Sequence, residues 1–318
     1  MSTMTQERPI RSVGIHEWGT HPVPPERLRE LLDGRDDLDC EFEVCSTDDA
    51  ADHDGVVTLF HHDEFLDGVE WVHNVRSGYE DFPLDDYRDR GVVMTNSTGV
   101  AGDLVAETVT GLVLTLAKGL HRFRDQQRDR EWARLSWERP FEVGKSSACV
   151  VGFGELGGSA ATRLGVLGMD VDGVDVRPVS GLGLGRVYDP AQIEEAVSDA
   201  RFVVLTTPLN ESTRGLVDQS VFEAMREDAY LINVSRGEIV VEEDLVEALE
   251  TDEIAGAALD VFYDEPLPED APFWEMDDVV VTPHAAAQAD TYGDRIADLV
   301  ATNVDRLTNG GTPWNRVV

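Results

Sequence analysis

The sequence predicts an α/β protein whose second half holds a doubly wound parallel sheet. Three observations predict this fold class. An apolar run of strand length at residues 148–153 breaks into closely spaced glycines and then enters a helical pattern. Short apolar runs alternate with helix-compatible stretches along both halves of the chain. Charged side chains directly follow several of these runs, and open α/β sheets bind ligands at the carboxyl ends of their strands.

The glycines form the pattern Gly-x-Gly-x-x-Gly at residues 152–157. Gly152 would make a tight turn, Gly154 would let the backbone approach a pyrophosphate, and Gly157 would let helix and strand pack closely. The helix N-terminus would add amide donors and positive potential. Because a strand and a helix flank the motif, it predicts a dinucleotide site rather than a glycine turn without a ligand. The expected cofactor contacts here are Gly152, Phe153, Gly154, Glu155, Leu156 and Gly157.

The next predicted strand ends at an acidic residue. Asp175 lies 18 residues beyond Gly157, where a carboxylate would hold the ribose hydroxyls of the dinucleotide. Arg177 follows it, and an arginine at this place can pair with the ribose phosphate of NADP. The carboxylate favours NAD and the arginine favours NADP, so the choice of cofactor stays open. The alternative to a phosphate contact is that Arg177 is simply an exposed charge in a loop.

The predicted elements define two domains. Strands are predicted at residues 41–46, 55–60, 69–75 and 91–96 in the first half, and at 148–153, 171–176, 202–206, 229–234, 254–259 and 278–282 in the second. Helical patterns cover residues 99–120 and 287–307. The dinucleotide-binding domain is therefore expected at residues 99–287. Residues 1–98 and 288–318 would form a smaller α/β domain, with a cleft between the two domains.

The composition is strongly acidic. The chain has 63 Asp and Glu against 26 Lys and Arg, a formal net charge of −37, and only two lysines, Lys118 and Lys145. The acidic residues are spread along the chain rather than gathered in a tail. Such a surface repels itself in dilute salt and is tolerated in concentrated salt, so we expect a halophilic cytoplasmic enzyme. Without a basic stripe, neither nucleic acid nor an anionic membrane is an expected partner.

Cysteine content and hydropathy agree with a reducing compartment. Cys40, Cys45 and Cys149 are odd in number and lack metal-ligand spacing, so no metal site is expected. Cys149 falls in a predicted buried strand, where a small apolar role is expected. The N-terminal residues lack an apolar signal core, and no run approaches the roughly 20 apolar residues that span a bilayer. These features predict a cytoplasmic location.

Three side chains near strand ends match one chemistry. Reduction of a 2-oxo acid needs a hydride donor, a cation for the carboxylate and carbonyl oxygens, and an acid for the developing alkoxide. Arg236 would supply a planar cation, and His284 would be the acid because imidazole titrates near working pH. Glu265 would orient the His284 ring. Each residue alone has an ordinary explanation as an exposed charge or a structural histidine, and their occurrence together predicts the site.

Several motifs also occur in a fixed order. After the glycines come Val-Ser-Arg-Gly at 234–237, Leu-Asp-Val-Phe at 259–262 with Glu-Pro-Leu at 265–267, and Thr-Pro-His at 282–284. This order resembles the D-2-hydroxyacid dehydrogenase family over nearly the whole chain. The resemblance implies a Rossmann dinucleotide domain, a smaller flavodoxin-like substrate domain, and reversible reduction of a 2-oxo acid to the D-2-hydroxy acid with NAD or NADP.

The resemblance implies the same three catalytic roles for Arg236, Glu265 and His284. Asp260 resembles the group that holds the nicotinamide carboxamide. Further implied cofactor contacts are Thr206, Thr207, Pro208, Val234, Ser235 and His284, and implied substrate contacts are Arg76, Ser77, Gly78, Arg236 and His284. The chain departs from the family at Arg76 and Tyr79, where small residues are usual, and at Glu155, where many relatives carry a basic or neutral residue.

Two broader expectations follow from the resemblance. The family usually forms homodimers through its cofactor domains, and the apolar helix at residues 100–120 would provide the contact. The preferred 2-oxo acid side chain is left open, because the pocket walls come from loops. The alternative function is a dinucleotide-sensing regulator like the C-terminal-binding corepressors, which share the fold and the three catalytic residues.

Overall fold

The computed structural model describes residues 9–35, 38–137, 139–179 and 185–318. They divide into two compact units. Unit 1 contains the described residues up to Ala101 together with Gln288–Val318, and unit 2 is Gly102–Ala287. Unit 2 therefore begins at residue 102 rather than 99 as the sequence predicts. The Val100 carbonyl accepts a hydrogen bond of 3.0 Å from Arg295, which belongs to the C-terminal part of unit 1.

Unit 1 is built on a five-stranded parallel sheet. Its elements before residue 101 are β1 (Ser12–His16), α1 (Pro25–Asp33), β2 (Glu41–Cys45), β3 (Gly55–Thr58), β4 (Trp71–Asn74), α2 (Leu84–Arg90) and β5 (Val93–Asn96). The strand order is β2-β1-β3-β4-β5. The four strands predicted from the sequence are present, whereas the interior strand β1, between β2 and β3, was not predicted.

Strand β1 is not predicted from the sequence because its middle residue is Gly14. Glycine normally weakens a strand, since it has no side chain to pack. Here a Cβ atom on Gly14 would lie 2.6 Å from the Cys45 sulfur and 2.7 Å from Cδ2 of His53. The glycine is needed because side chains from neighbouring segments occupy the space beside it.

Unit 2 is a seven-stranded, fully parallel doubly wound sheet, as predicted. Its strands are β6 (Ser147–Val151), β7 (Asp170–Val174), β8 (Val187–Tyr188), β9 (Phe202–Leu205), β10 (Tyr230–Asn233), β11 (Gly256–Leu259) and β12 (Val279–Val281). The order is β12-β11-β10-β9-β6-β7-β8. The two-residue strand β8 is the one not predicted. The order reverses between β6 and β9, which places the ligand crevice of such a sheet at the carboxyl ends of these two strands.

The helices of unit 2 surround this sheet. They are α3 (Gly102–Lys118), α4 (Leu120–Asp129), α5 (Glu155–Val166), α6 (Ile193–Val197), α7 (Gln219–Ala224) and α8 (Glu242–Glu250), and α9 (Tyr292–Thr308) follows in unit 1. Among the described residues no single helix is long and apolar enough to cross a membrane. Only α3 and α4 taken together, bent by 67°, pass that test of length and composition.

Helix α3 is a core helix of unit 2. Its buried side chains include Leu104, Val109, Leu112, Val113 and Leu116, and the helix packs along α5. The sequence assigned the apolar surface of this helix to a contact between subunits. The buried side chains of this surface are covered inside unit 2, because an apolar stripe alone does not reveal which neighbour covers it. A subunit contact through the rest of the helix stays a prediction.

Candidate active site

The glycine turn has the geometry that the motif predicts. Gly152 has a φ of +93°, a left-handed conformation that favours glycine. A Cβ atom on Gly157 would lie 1.8 Å from the Gly152 carbonyl oxygen, so helix α5 packs directly on the turn. A Cβ atom on Gly154 would meet no atom within 4 Å. The N-terminus of α5 therefore has open space beside Gly154, and this cradle fits the pyrophosphate of a dinucleotide.

Two threonines that follow β9, Thr206 and Thr207, contact the glycine turn. The Thr206 hydroxyl donates to the Gly152 carbonyl oxygen at 2.7 Å. A Cβ atom on Gly152 would lie 2.9 Å from Cα of Thr207. The side chain of Thr206 is thus occupied within unit 2. Contacts of Thr206, Thr207 and Pro208 with the cofactor through their backbone stay a prediction.

Glu155, the unusual residue of the glycine motif, binds the start of helix α3. Its Oε1 atom accepts a hydrogen bond of 2.5 Å from the Gly102 N–H. A Cβ atom on Gly102 would lie 2.7 Å from Cγ of Glu155, so the bond requires a glycine there. A carboxylate at a helix N-terminus is stabilised by the N–H groups and the helix dipole. This contact explains how the motif tolerates an acidic residue.

Asp175 and Arg177 form one ion pair at the end of β7. Oδ1 of Asp175 accepts from Nε of Arg177 at 3.0 Å, and Oδ2 accepts from the Phe153 N–H at 2.7 Å. Burial raises the pKa of the Asp175 carboxyl, but the hydrogen bonds from Arg177 and Phe153 outweigh burial and hold the pKa below its usual value. The Asp175 side chain is 6% exposed and that of Arg177 is 62% exposed. The guanidinium is therefore the accessible member of the pair.

The turn that carries Arg236 is organised by a buried asparagine. Asn233, the last residue of β10, accepts from the Ser235 N–H at 3.1 Å and donates to the Arg236 carbonyl at 2.9 Å. A Cβ atom on Gly237 would lie 2.0 Å from the Phe262 carbonyl carbon, so only glycine fits there. The sequence did not single out Asn233, although a buried asparagine at the end of a strand commonly orders a turn.

His284 and Glu265 form the hydrogen bond that the sequence predicts. Nδ1 of His284 lies 2.6 Å from Oε2 of Glu265, and Oε1 of Glu265 accepts from the Phe262 N–H at 3.1 Å. Burial raises the pKa of the Glu265 carboxyl, but the hydrogen bond and charge of His284, the Phe262 N–H and the charge of Arg236 outweigh burial and hold the pKa below its usual value. Glu265 is therefore an anion at working pH and fixes the ring through Nδ1, so Nε2 is the nitrogen available to a ligand.

Asp260 holds the backbone on which His284 sits. Its carboxylate is 1% exposed and accepts from the Thr282 hydroxyl at 2.6 Å and from the N–H groups of Ala285 and Ala286, each at 2.9 Å. His284 itself has a φ of +50° and donates its N–H to the Asp260 carbonyl at 2.8 Å. This arrangement gives Asp260 a structural role, and its contact with a nicotinamide carboxamide stays a prediction.

The sheet brings the predicted catalytic residues together. Arg236 follows β10, Glu265 follows β11 and His284 follows β12, and these three strands are neighbours. The positive charge of Arg236 also contributes to the lowered pKa of the Glu265 carboxyl. A cation, a carboxylate and an imidazole thus occupy one edge of unit 2, which is the set of groups that proton transfer to an anionic carbonyl compound needs.

The residues that the resemblance implies as further substrate contacts, Arg76, Ser77 and Gly78, lie in a loop of unit 1 after β4. The Arg76 side chain donates to the Leu59 carbonyl at 3.1 Å and to Asp81 at 3.2 Å. Its guanidinium is thus tied to residues of its own unit. The roles of Arg76, Ser77 and Gly78 toward a substrate stay predictions.

Comparisons with known proteins agree with this geometry. A family profile described as "D-isomer specific 2-hydroxyacid dehydrogenase, NAD binding domain" matches residues 110–286. A glyoxylate reductase from Korarchaeum cryptofilum (strain OPF8) is 31% identical over 246 residues, covering 76% of this chain and 73% of the relative.

Solved structures show the same fold. A D-isomer specific 2-hydroxyacid dehydrogenase from Xanthobacter autotrophicus Py2, in complex with NADPH and MES, superposes with a TM-score of 0.81 at 25% identity, covering 97% of this chain and 98% of that one. D-lactate dehydrogenase with NAD+ from Lactobacillus jensenii superposes with a TM-score of 0.82 at 23% identity, covering 96% and 99%. This second likeness concerns the fold alone.

Proposed function

This chain belongs to the D-isomer specific 2-hydroxyacid dehydrogenase family, and on that premise we propose that Arg236, Glu265 and His284 are its catalytic residues. The protein is an NAD(P)-dependent oxidoreductase that reduces 2-oxo acids to D-2-hydroxy acids. The observation that carries the residue assignment is the 2.6 Å hydrogen bond between His284 and Glu265 on the sheet edge that also bears Arg236.

Each of the three side chains has a different role in the reduction. The bound nicotinamide supplies a hydride to the carbonyl carbon of the 2-oxo acid. Arg236 binds the carboxylate and carbonyl oxygens with its planar guanidinium and stabilises the negative charge that develops on the carbonyl oxygen. His284 gives the proton on Nε2 to that oxygen. Glu265 keeps the ring oriented and stabilises the imidazolium form with its charge.

A substrate panel tests this function. Purified protein is assayed with glyoxylate, pyruvate and hydroxypyruvate, each with NADH and with NADPH, at several KCl concentrations. Glyoxylate is included because the Korarchaeum relative is named a glyoxylate reductase. We expect turnover of at least one 2-oxo acid and a D-configured product. Dinucleotide binding without turnover of any 2-oxo acid would contradict the function and favour the regulatory alternative, which no feature of the site supports.

For the cofactor, we propose that both NAD and NADP are used. The buried Asp175 carboxylate is suited to ribose hydroxyls, and the exposed Arg177 guanidinium is suited to a ribose phosphate. Since the two groups pair with each other, the carboxylate does not present an uncompensated charge to a phosphate. This arrangement supports dual use rather than exclusion of NADPH.

We also propose a homodimer formed through the segment after α3. Four large apolar side chains there are exposed: Leu120, Phe123, Trp132 and Trp137. Large exposed aromatic side chains usually mark an interface, and the family resemblance points to a second copy. Light scattering of the Trp132→Ser/Trp137→Ser variant should show loss of the dimer. The matched control, Trp274→Ser, changes another exposed tryptophan of unit 2 and should leave the dimer intact; an unchanged mass in the first variant contradicts the proposal.

The net charge of −37 supports a further proposal, that the protein works in a concentrated-salt cytosol. Screening shortens the range of repulsion between carboxylates from about 10 Å at 0.1 M salt to about 3 Å at 1 M. An acidic surface of this density is therefore best tolerated in molar salt.

A further inference from the structure

We propose that Glu155 lowers the affinity of this protein for dinucleotides and makes that affinity depend on salt, because its carboxylate competes with the cofactor pyrophosphate for the positive end of helix α5. Unit 2 needs only to bind a dinucleotide for this effect, whichever residues are catalytic. Every contact that supports the role of Glu155 lies within unit 2.

Glu155 occupies the helix start that the glycine motif provides. It is the first residue of α5 and directly follows Gly154. The space beside Gly154 is open, since a Cβ atom there would meet no atom within 4 Å. A dinucleotide motif uses the N–H groups and positive potential of this helix start to bind the pyrophosphate. The Glu155 carboxylate is therefore carried by the same helix start that the pyrophosphate needs.

The side chain of Glu155 also reaches the start of a second helix. Its Oε1 atom accepts a hydrogen bond of 2.5 Å from the N–H of Gly102, which is the first residue of α3. Further along both helices, Arg163 of α5 binds Asp103 and Glu107 of α3 at 3.5 and 3.2 Å. Because these contacts occur in the same order along both helices, α3 and α5 begin side by side. Glu155 thus lies between two helix N-termini.

The charge of Glu155 is large enough to cancel the positive potential of both helix starts. Each helix N-terminus is equivalent to roughly +0.5 of an elementary charge, so two together supply about +1. One carboxylate carries a full negative charge and offsets this sum. A pyrophosphate bound beside it gains less from the helix dipoles than it would beside a neutral side chain, and the carboxylate also repels it.

The cations near these helix starts are paired with other carboxylates. Arg163 binds the two acidic side chains of α3, and Arg177, which also bonds the backbone of the glycine turn, is paired with Asp175. Lys118 lies in the last turn of α3, at the opposite end from Glu155. The protein cations share their charge with their own partners, so dissolved K⁺ is expected to supply further compensation when a pyrophosphate binds.

Salt should therefore weaken the repulsion between Glu155 and the pyrophosphate. The Debye length is about 10 Å at 0.1 M salt and about 3 Å at 1 M. Two anions on one helix start repel each other in dilute salt and are largely screened in molar salt. We expect the dinucleotide affinity of the wild type to rise with KCl, and to rise more steeply than that of a variant without this carboxylate.

Glu155→Gln is the direct test, because glutamine keeps the side-chain size and an oxygen acceptor for the Gly102 N–H. Dissociation constants of NADH and NADPH are measured by cofactor fluorescence at about 0.2 M and about 3 M KCl, which differ strongly in screening. Sucrose is present in all samples, since it stabilises the fold without screening charge. Both constants should fall about three- to fivefold at the lower salt, as for one charge at a helix N-terminus, and less than about twofold at the higher salt.

Glu250→Gln is the matched control. Glu250 is the exposed last residue of α8, which precedes β11 and so lies at the opposite edge of the parallel sheet from the glycine turn. This variant loses the same charge and should keep both dissociation constants at either salt. In Glu155→Gln the ratio of the NADH and NADPH constants should not change, because both cofactors contain the pyrophosphate. An unchanged ratio separates the effect of Glu155 from that of a ribose contact.

Unchanged dissociation constants for Glu155→Gln at the lower salt overturn the proposal. An equal improvement in Glu250→Gln also overturns it, because the effect would then belong to overall charge. An improvement that is as large at the higher salt overturns screening as the source of the salt dependence.

A second measurement uses the wild type alone. ADP-ribose contains the pyrophosphate and adenosine does not, so KCl should raise the affinity for ADP-ribose by the larger factor. Equal factors for the two ligands overturn the assignment of the repulsion to the pyrophosphate. Neither measurement involves a 2-oxo acid. Absence of turnover would therefore contradict the proposed function and leave the role of Glu155 standing.

Discussion

Nδ1 of His284 lies 2.6 Å from Oε2 of Glu265, and this contact joins the ends of β11 and β12. The pKa of Glu265 is lowered, mainly through His284 and against the effect of burial. With Nδ1 bonded to an ionised Glu265, Nε2 is the ring nitrogen that is open to a ligand. Under the proposed function, Nε2 is the atom that protonates the substrate oxygen, and this assignment sets the first prediction.

His284→Ala should lower turnover by about 100-fold or more, because a positioned acid contributes roughly 10²- to 10⁴-fold. Dinucleotide binding, followed by fluorescence of the reduced cofactor, should stay nearly intact. His21→Ala, which changes an exposed histidine of unit 1, is the control and should keep full turnover. Near-normal turnover of His284→Ala would remove His284 as the proton donor.

Arg236→Lys should be nearly as damaging as Arg236→Ala in kcat/KM, because an ammonium cannot meet carboxylate and carbonyl oxygens with one planar fork. We expect both variants to lose at least about 100-fold, equivalent to about 2.7 kcal/mol. Arg226→Lys tests the same change at a surface ion pair with Asp228 and should be neutral. A lysine variant of Arg236 with wild-type efficiency would contradict its bidentate role.

Replacing Arg177 or Asp175 should change cofactor preference in opposite directions. Arg177→Ala should selectively weaken NADPH, because it removes the accessible guanidinium, and Asp175→Ala should selectively weaken NADH. Dissociation constants for both reduced cofactors are the measurement. If both variants leave the ratio of the two constants unchanged, neither residue distinguishes the ribose.

Asp278 should make stability depend on pH in acid. It binds Arg122 and Arg139, each at 2.5 Å, and these hydrogen bonds outweigh burial and lower the pKa of its carboxyl. A lowered pKa stabilises the fold at pH values above the unfolded pKa of 3.8, and this stabilisation is lost as pH falls through the lower folded value.

Asp278→Asn should therefore lower the free energy of unfolding at pH 7 by about 1–2 kcal/mol, allowing for solvent screening. The difference from the wild type should begin to shrink as pH falls below about 4, where the carboxyl of the unfolded chain takes up its proton, and should keep shrinking toward the lower pKa of the folded state. Denaturant titrations from about pH 7 to well below the ordinary Asp pKa of about 4 measure this difference in the free energy of unfolding. A difference that is constant over this range would show that the ionised carboxyl is not the stabilising species.

Salt should increase both stability and activity. With a net charge of −37, self-repulsion opposes the fold, the dimer and the approach of an anionic dinucleotide, and screening weakens all three effects. We expect the melting temperature and the steady-state rate to rise from about 0.1 to about 3 M KCl, with loss of the dimer or slow unfolding below about 0.5 M.

Flat curves for both quantities would contradict adaptation to salt. A rise in melting temperature without a rise in rate would confine the effect to stability. Sodium sulfate strengthens apolar burial as well as screening, so KCl is the better salt for separating the charge effect.

Much of the candidate site was predictable from local pattern. The three glycines, Asp175 with Arg177, and the strand-end residues Arg236, Glu265 and His284 stand at places where a strand pattern stops, and those places are visible in sequence. The asparagine that shapes the Arg236 turn was not found. Asn233 looks like an ordinary turn residue, because its partners become evident only when the chain is folded.

By itself the sequence determined the doubly wound sheet, the order of its motifs and the residue types of the catalytic edge, because strand periodicity and glycine conformation are local properties. Tertiary structure alone decided which strands are neighbours, that β1 tolerates Gly14, and that α3 is covered within its own unit. It also decided that Glu155 binds the start of α3. These outcomes depend on contacts between residues far apart in the chain, whose space and hydrogen-bonding partners no local pattern encodes.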